Sequence, residues 1–195
     1  DSGDNPTAGS TSDCTGFLRR IMEDPRTDEL ETPVVFGGIY DPEATLLCRD
    51  KVGQELTLTF GAKFDRSSSV PITAKGTVLA YIKGWNKFHG VGDIALFRSC
   101  GVDIVLSENH IGYGLPAVFG DLGRNPADMQ IVVCKLGYLT AQQAAYAKRS
   151  IMALSKGSTN EDLTSLDYRH IPRPIFPLDK DFSFEPAENL IRKTK

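Results

Sequence analysis

One stretch of this sequence constrains the fold more than any other. It is an apolar run, Thr32-Pro-Val-Val-Phe-Gly-Gly-Ile-Tyr40, followed at once by Asp41-Pro-Glu43. The run reads as a buried strand. Asp41 then supplies an N-cap, Pro42 fills the first helical position and Glu43 gives an acidic first turn. The helix so started is expected to carry Ala44, Leu47 and Cys48 inward and to stop near Gly53. Glu55-Leu-Thr-Leu-Thr-Phe60 alternates with a period of two, so a second strand follows. Strand, helix and strand in this order make a βαβ unit by pattern, and a partly parallel sheet is expected.

Beyond Gly61 the pattern changes. Arg66 to Ser69 is a loop, Ile72 to Ile82 contains a long strand, and shorter runs follow at Asp93 to Arg98 and Val102 to Ser107. Ser99-Cys100-Gly101 between the last two is short enough for a hairpin. The fold class is therefore α/β: a mixed sheet with a βαβ unit, antiparallel hairpin strands and flanking helices. A short helix is expected near Ala117, a strand over Gln130 to Cys134, and an amphipathic helix from Thr140 to Arg149 capped by Thr140. The C-terminal segment is irregular, because Pro172, Pro174, Pro177 and Pro186 forbid regular helix. Ile171, Ile175, Phe176 and Leu178 are apolar enough to need burial, so residues 168–195 read as an extended strip docked on a surface. A P-x-x-P ligand for another protein is the alternative. One domain over residues 1–195 accommodates all of this.

The first thirteen residues, Asp1 to Asp13, form a polar, Gly-rich loop that runs into a helix without a preceding strand. A chain that starts on such a loop is expected to be a piece of something larger. Asp1, Asp4 and Asp13 place carboxylates beside Gly3 and Gly9, which can bring backbone N–H groups together around a ligand. Ser10, Thr11, Ser12 and Asp13 offer caps for a helix from Cys14 to Glu23, whose apolar stripe is Phe17, Leu18, Ile21 and Met22. The loop is expected to be ordered only when a missing domain or a ligand covers it, since polar glycine-rich sequence cannot hold itself by burial; the alternative is a disordered leader.

At 195 residues and 41% hydrophobic content the chain can build a real core. The net charge of −3, from 22 basic and 25 acidic residues, leaves only Lys83 to Lys87 and Arg192 to Lys195 as local basic clusters, so nucleic acid is not expected as a partner. No apolar run approaches a membrane-spanning length, and no membrane partner is expected. Cys14, Cys48, Cys100 and Cys134 lie 34, 52 and 34 residues apart, without a C-x-x-C pair. They read as free thiols in a reducing compartment, with Cys48 and Cys134 buried as small hydrophobes, and a cytoplasmic location follows.

Chemistry-bearing patterns are sparse. His89, His110 and His170 lie on separate segments without an H-E-x-x-H. No G-x-G-x-x-G, G-K-[ST] or G-x-S-x-G motif is present, and Gly37-Gly38 inside a strand reads as a place of close helix packing. What remains is a diffuse set: Asp1, Asp4 and Asn5 in the opening loop, and Lys135 just past the Ile131 to Cys134 strand. Ligands approach α/β sheets at the carboxyl ends of strands, where a lysine can hold a carboxylate or fix a loop aspartate. A solvated surface lysine is the alternative.

Four strings in order carry a resemblance: Asp1-Ser-Gly-Asp-Asn-Pro-Thr-Ala-Gly9; Asp41-Pro-Glu-Ala44 with Val52-Gly53 and Phe60-Gly-Ala-Lys63; Ile131-Val-Val-Cys-Lys-Leu-Gly-Tyr-Leu139; and Tyr168 to Asp179. Together, over nearly the whole chain, they resemble the C-terminal domain of the MlrC (microcystinase C) family, the M81 metallopeptidases. The resemblance implies one wall of an interdomain cleft that cleaves a small peptide or amide substrate. It places the zinc chiefly on a larger N-terminal metal-binding domain, which is the expected partner, and implies that this chain alone is inactive. Asp4, Asn5 and Lys135 match motif strings near the cleft. The candidate set is therefore Lys135 as catalytic residue, with Asp1, Asp4, Asn5 and Tyr138 on the substrate side and no metal ligand. Where relatives have a histidine-containing segment after the lysine, this chain has Leu136-Gly-Tyr138, and Tyr138 either hydrogen-bonds there or simply packs. A non-catalytic ligand-binding or interaction domain of the same architecture is the competing reading, and a homo-oligomer is compatible with either.

Dispersed histidines and unpaired cysteines predict no stoichiometric zinc on this chain at neutral pH. Metal analysis after dialysis checks it: one retained zinc per chain, lost on substitution of His89, His110 or His170, would overturn the expectation.

Overall fold

The apolar run after Pro33 forms β1 (Val34–Tyr40), which is paired on both edges. β5 (Val102–Ser107) lies on one side and β6 (Val132–Cys134) on the other, both parallel to it. A strand flanked in this way and covered on both faces must be apolar throughout. Accordingly, Val34 to Ile39 and all of β5 are buried. The computed structural model describes residues 1–87 and 90–183, so His89, Pro186 and the Arg192 to Lys195 cluster lie outside the described residues.

Antiparallel strands complete the six-stranded sheet in the order β2-β3-β4-β5-β1-β6. β4 (Gly90–Ser99) and β5 are joined through Cys100 and Gly101, both at positive φ, and Ser99 pairs with Val102 as the expected hairpin requires. β3 (Ile72–Lys87) and β2 (Glu55–Phe60) extend the sheet outward. The mixed α/β class holds, but its parallel crossover is not the expected one. After β1 and α2 (Pro42–Leu47), β2 goes to the far edge and runs opposite to β1 through three antiparallel pairings. The crossover is instead β5, α3 (Ala117–Asp121) and β6, with β1 between the two strands. The alternating exposure of β2 suits an edge and would waste a buried central position.

Two apolar layers cover the sheet. On one face α1 (Gly16–Glu23) brings Leu18, with Phe17, Ile21 and Met22, and α2 brings Ala44 and Cys48, against Val34, Phe36 and Ile104. On the other, Val118, Phe119 and Leu122 of the α3 region pack with Tyr113 and Trp85 on Val35 and Val105. Gly37 and Gly38 admit this second layer: a Cβ on Gly37 would sit 2.7 Å from the Phe119 and Tyr113 rings, and one on Gly38 2.2 Å from the Tyr113 oxygen. Close packing thus explains the pair.

The helices are shorter than their patterns predict. α2 ends at Leu47, which is 59% exposed rather than inward, because the chain turns through Cys48 to Gly53 to meet Val78. α4 (Ala141–Ala144) keeps its capping box between Thr140 and Gln143 but is one turn long. Only Gln143 in it is buried, so it has no apolar stripe to stabilise further turns. Among the described residues no helix is long and apolar enough to cross a membrane.

The chain divides into two compact units, Asp1–Glu161 and Asp162–Lys195. Among its described residues the second is irregular apart from a 3₁₀ turn at Leu163–Ser165, and Arg173 pairs with Asp179, which also accepts from the Ile175 N–H at 2.7 Å. Of the apolar side chains expected to be buried in this strip, Ile171 and Leu178 are partly buried, while Ile175 and Phe176 are 38% and 73% exposed. Pro174 and Pro177 flank the pair, and the Arg173–Asp179 contact closes the turn that contains it.

All four cysteines are free thiols. Burial pushes Cys14, Cys48 and Cys134 each up to about 12, although Cys134 retains some surface, whereas Cys100 is exposed in its turn. A thiol reagent at pH 8 should therefore modify one cysteine rapidly in the native protein, and Cys100→Ser should abolish that phase. A second fast thiol would contradict this packing.

Candidate functional site: the carboxyl edge and its opening loop

Because β1, β5 and β6 are parallel, their carboxyl ends at Tyr40, Ser107 and Cys134 open on one edge of the sheet. The opening loop is strapped across it. The Tyr40 N–H donates to the Ser12 carbonyl at 2.8 Å, Ala62 N–H to Asp13 carbonyl at 2.7 Å, and the Asp1 amine to Cys134 carbonyl at 3.1 Å.

Asp4 is the centre of the strap and is fully buried. Its Oδ1 accepts from the Ser10 hydroxyl at 2.6 Å and the Ser12 N–H at 2.7 Å; its Oδ2 accepts from the Cys14 N–H at 2.7 Å and from Lys135 Nζ at 2.6 Å. Burial pushes the Asp4 carboxyl up, but the Lys135 ammonium and these donors together outweigh it, so the group lies below its ordinary value. Lys135 is equally buried: Nζ also donates to the Cys14 carbonyl at 3.0 Å and lies 5.9 Å from the centre of the Phe36 ring. The residue expected to present a charge to the cleft thus has no exposed surface, and its ammonium fixes a loop aspartate.

From below, the loop is clipped by residues about 150 positions away. Ser2 N–H donates to Ala153 carbonyl at 3.0 Å, Gly3 N–H to Ser155 Oγ at 3.0 Å and Asn5 N–H to Thr159 Oγ1 at 2.9 Å, while Thr159 N–H returns to the Gly3 carbonyl. Side chains are excluded from this crossing: a Cβ on Gly3 or on Gly157 would sit 2.0 Å from the opposite backbone oxygen. The expectation that the loop cannot hold itself therefore fails. Its buried polar groups are paired one by one, and pairing substitutes for apolar burial.

The capping expectation also fails. α1 begins at Thr15 without a side-chain cap, because Asp13 turns away to accept from the Phe64 N–H at 2.7 Å and Asp4 takes the Cys14 N–H. Asn5 caps the 3₁₀ turn Pro6–Ala8 through the Thr7 N–H, and Asp1 accepts from the Ser155 hydroxyl. Tyr138 stands apart, 61% exposed, and with Asp1 it lines a separate groove of about 790 Å³ beside β6. The structure therefore unites Asp4, Asn5 and Lys135 but places Tyr138 elsewhere. Sequence reading missed Ser155 and Thr159, for which the tight glycines Gly3 and Gly157 were the sole signal.

Further along the edge, Asp41 Oδ1 accepts from Ala44 N–H and from Lys63 Nζ at 2.8 Å, and its Oδ2 from Gly61 N–H at 3.0 Å. Asp4, Asp13 and Asp41 thus spend their oxygens on the protein's own donors, which suits scaffolding rather than proton transfer. His110 stacks on Tyr40 at 4.0 Å, and Tyr40 on Phe64 at 5.1 Å. His170 is exposed in the second unit. Among the described residues no group of three or more His, Cys, Asp or Glu side chains could hold a metal ion, so they do not fit a zinc site.

Lys135→Met should lower stability by about 3–5 kcal/mol, since it strands a buried carboxylate, and adding Asp4→Asn should recover part of the loss. The folded Asp4 carboxyl lies below the ordinary 3.8, so its contribution is fully present above that pH and is lost as the pH falls through the folded value. Urea midpoints across pH 7 to 2 should show the gap between wild type and Asp4→Asn closing at the acid end. A constant gap would deny the charge pair its role.

The MlrC C-terminus family matches residues 1–170. Microcystinase C of Sphingomonas sp is 26% identical over 185 residues, covering 92% of this chain and 35% of that protein. The crystal structure of "Putative metallopeptidase" from Mesorhizobium sp. BNC1 shares the fold, with a TM-score of 0.74 at 22% identity over 96% of this chain and 39% of its own. The chain thus spans well under half of either protein. Sequence match and fold agree, and the chain belongs to the MlrC C-terminus family.

Proposed function

We propose that this domain forms one wall of the active-site cleft of a zinc-dependent hydrolase that cleaves a peptide or amide bond. The observation that carries the reading is the opening loop, held at the carboxyl edge by the buried Asp4–Lys135 pair in a chain of this family. Relatives described as a microcystinase and a metallopeptidase support the reaction class. So does the greater length of both, which leaves room for a metal-binding N-terminal domain as the partner.

Zinc in the complete protein would be held chiefly by that partner, which suits a wall whose carboxylates are already committed. The metal's part is to activate water and polarise the scissile carbonyl. This chain's part is to present a fixed surface to the substrate. Lys135 acts through Asp4 as a positioning residue, and Asn5 shapes the Pro6–Ala8 turn beside the edge. Asp1 and Tyr138 would meet the substrate or the partner domain at the groove beside β6. Four free thiols fit a reducing, cytoplasmic setting.

The complete protein should hydrolyse a cyclic or linear peptide amide, lose activity to a chelator and regain it with zinc, while this chain alone shows none. Lys135→Met should cost at least tenfold in kcat/KM, about 1.4 kcal/mol, together with a drop in Tm. Hydrolysis by the chain alone, or a complete protein indifferent to chelator, would refute the assignment.

A further inference from the structure

His110 takes no part in the buried network, yet its ring is held in place. It lies three residues past β5, at the carboxyl edge, with Nε2 3.0 Å from the Thr11 carbonyl oxygen. A carbonyl only accepts, so Nε2 carries the hydrogen and donates. In the neutral ring the lone pair is then on Nδ1, and no partner for Nδ1 occurs among the described residues. One face of the ring stacks on Tyr40 at an interplanar angle of 29°, and Tyr40 stacks on Phe64 at 24°. The tautomer and the orientation of an exposed side chain are thus both fixed.

The surroundings define what such an acceptor would meet. His110 shares a recess of about 290 Å³ with Pro6, Thr7, Ile111 and Gly112, near the lower size limit of a ligand pocket and open to solvent. Pro6 and Ile111 give it an apolar wall. Nearby carboxylates cannot do the same task, since Asp4, Asp13 and Asp41 are engaged with the protein's own donors. A neutral acceptor beside a small apolar recess matches one residue of a peptide, with its N–H on the nitrogen and its side chain in the recess.

We propose that His110 is a specificity-determining residue whose Nδ1 accepts a hydrogen bond from a backbone N–H of the peptide substrate, with the neighbouring apolar side chain of that peptide in the Pro6–Ile111 recess. The inference rests on the peptide-hydrolase reading above. It names the groups on this domain's wall that hold the substrate.

In the complete protein at pH 8, wild type and His110→Phe are compared on a blocked peptide and on ester analogues in which each N–H in turn is replaced by oxygen. Phenylalanine keeps the stack but has no acceptor. For the peptide, KM should rise about tenfold with kcat nearly unchanged; for the ester lacking the donating N–H, both forms should give the same KM, and Tm should fall only by the small amount expected for losing the exposed bond to the Thr11 carbonyl. Equal losses on the peptide and on every ester, or no loss on the peptide, would overturn the proposal. Should the complete protein hydrolyse none of them, the functional reading falls separately. His110 is then decided by ¹⁵N NMR of this chain titrated with acetyl-leucyl-leucine amide. A shift at Nδ1 that is absent in a probe N-methylated at the donating amide supports the contact, and no binding or an unmoved Nδ1 refutes it.

Discussion

The ion pair between Asp4 and Lys135 is the constraint on which the rest of the carboxyl edge depends. Two fully buried charges are tolerable only when each is compensated and every remaining lone pair and proton is used. Asp4 meets that condition with donors from Ser10, Ser12 and Cys14 in addition to the ammonium, and Lys135 meets it with the Cys14 carbonyl and the Phe36 ring. Releasing the loop would take from the ammonium both its counter-ion and the Cys14 carbonyl, and would open it to water. Loop and strand are therefore one element, and the edge arrives at any partner or substrate with its shape already set.

Much of the sheet was legible because its physics is local. The uninterrupted apolar run of β1, the alternation of β2 and the two-residue gap between β4 and β5 each have one sheet position that suits them, and each is found there or close to it. The identity of the crossover was not legible. Asp41-Pro-Glu43 announces a helix after β1 with full clarity, but nothing local to it says that the next strand pairs four places away rather than alongside. Strand order is decided by which runs need burial on both faces, a comparison across the whole chain. Helix lengths failed for the converse reason: Leu47 fits its stripe but is 59% exposed, and in α4 only Gln143 is buried.

At the site, sequence pointed to Asp4, Asn5 and Lys135 as a group, and the structure brings Asp4 and Lys135 to 2.6 Å of each other. What the sequence concealed was the sense of the lysine's charge. A residue one step past a buried strand can face outward or be roofed over, and the roof comes from thirteen residues whose composition resembles a loose end. The polar character of that roof misleads because burial and polarity are compatible whenever hydrogen bonds are complete. The stacked Phe64, Tyr40 and His110 went unnoticed because one ends β1 and the others lie in the loops after β2 and β5, and only the edge of the sheet brings them together.

The clip between residues 2–5 and 153–159 carries a consequence for how this protein is made. The opening loop is among the last parts of this domain to be fixed, because Ala153, Ser155 and Thr159 must exist before residues 2–5 can be clipped. Until then residues 2–5 lack their clip, while the sheet beneath the carboxyl edge can already assemble. Contacts of this sequence separation form late and slow the final closure of a domain. A nascent chain halted before Ala153 would thus hold a largely built sheet with its carboxyl edge still unclipped.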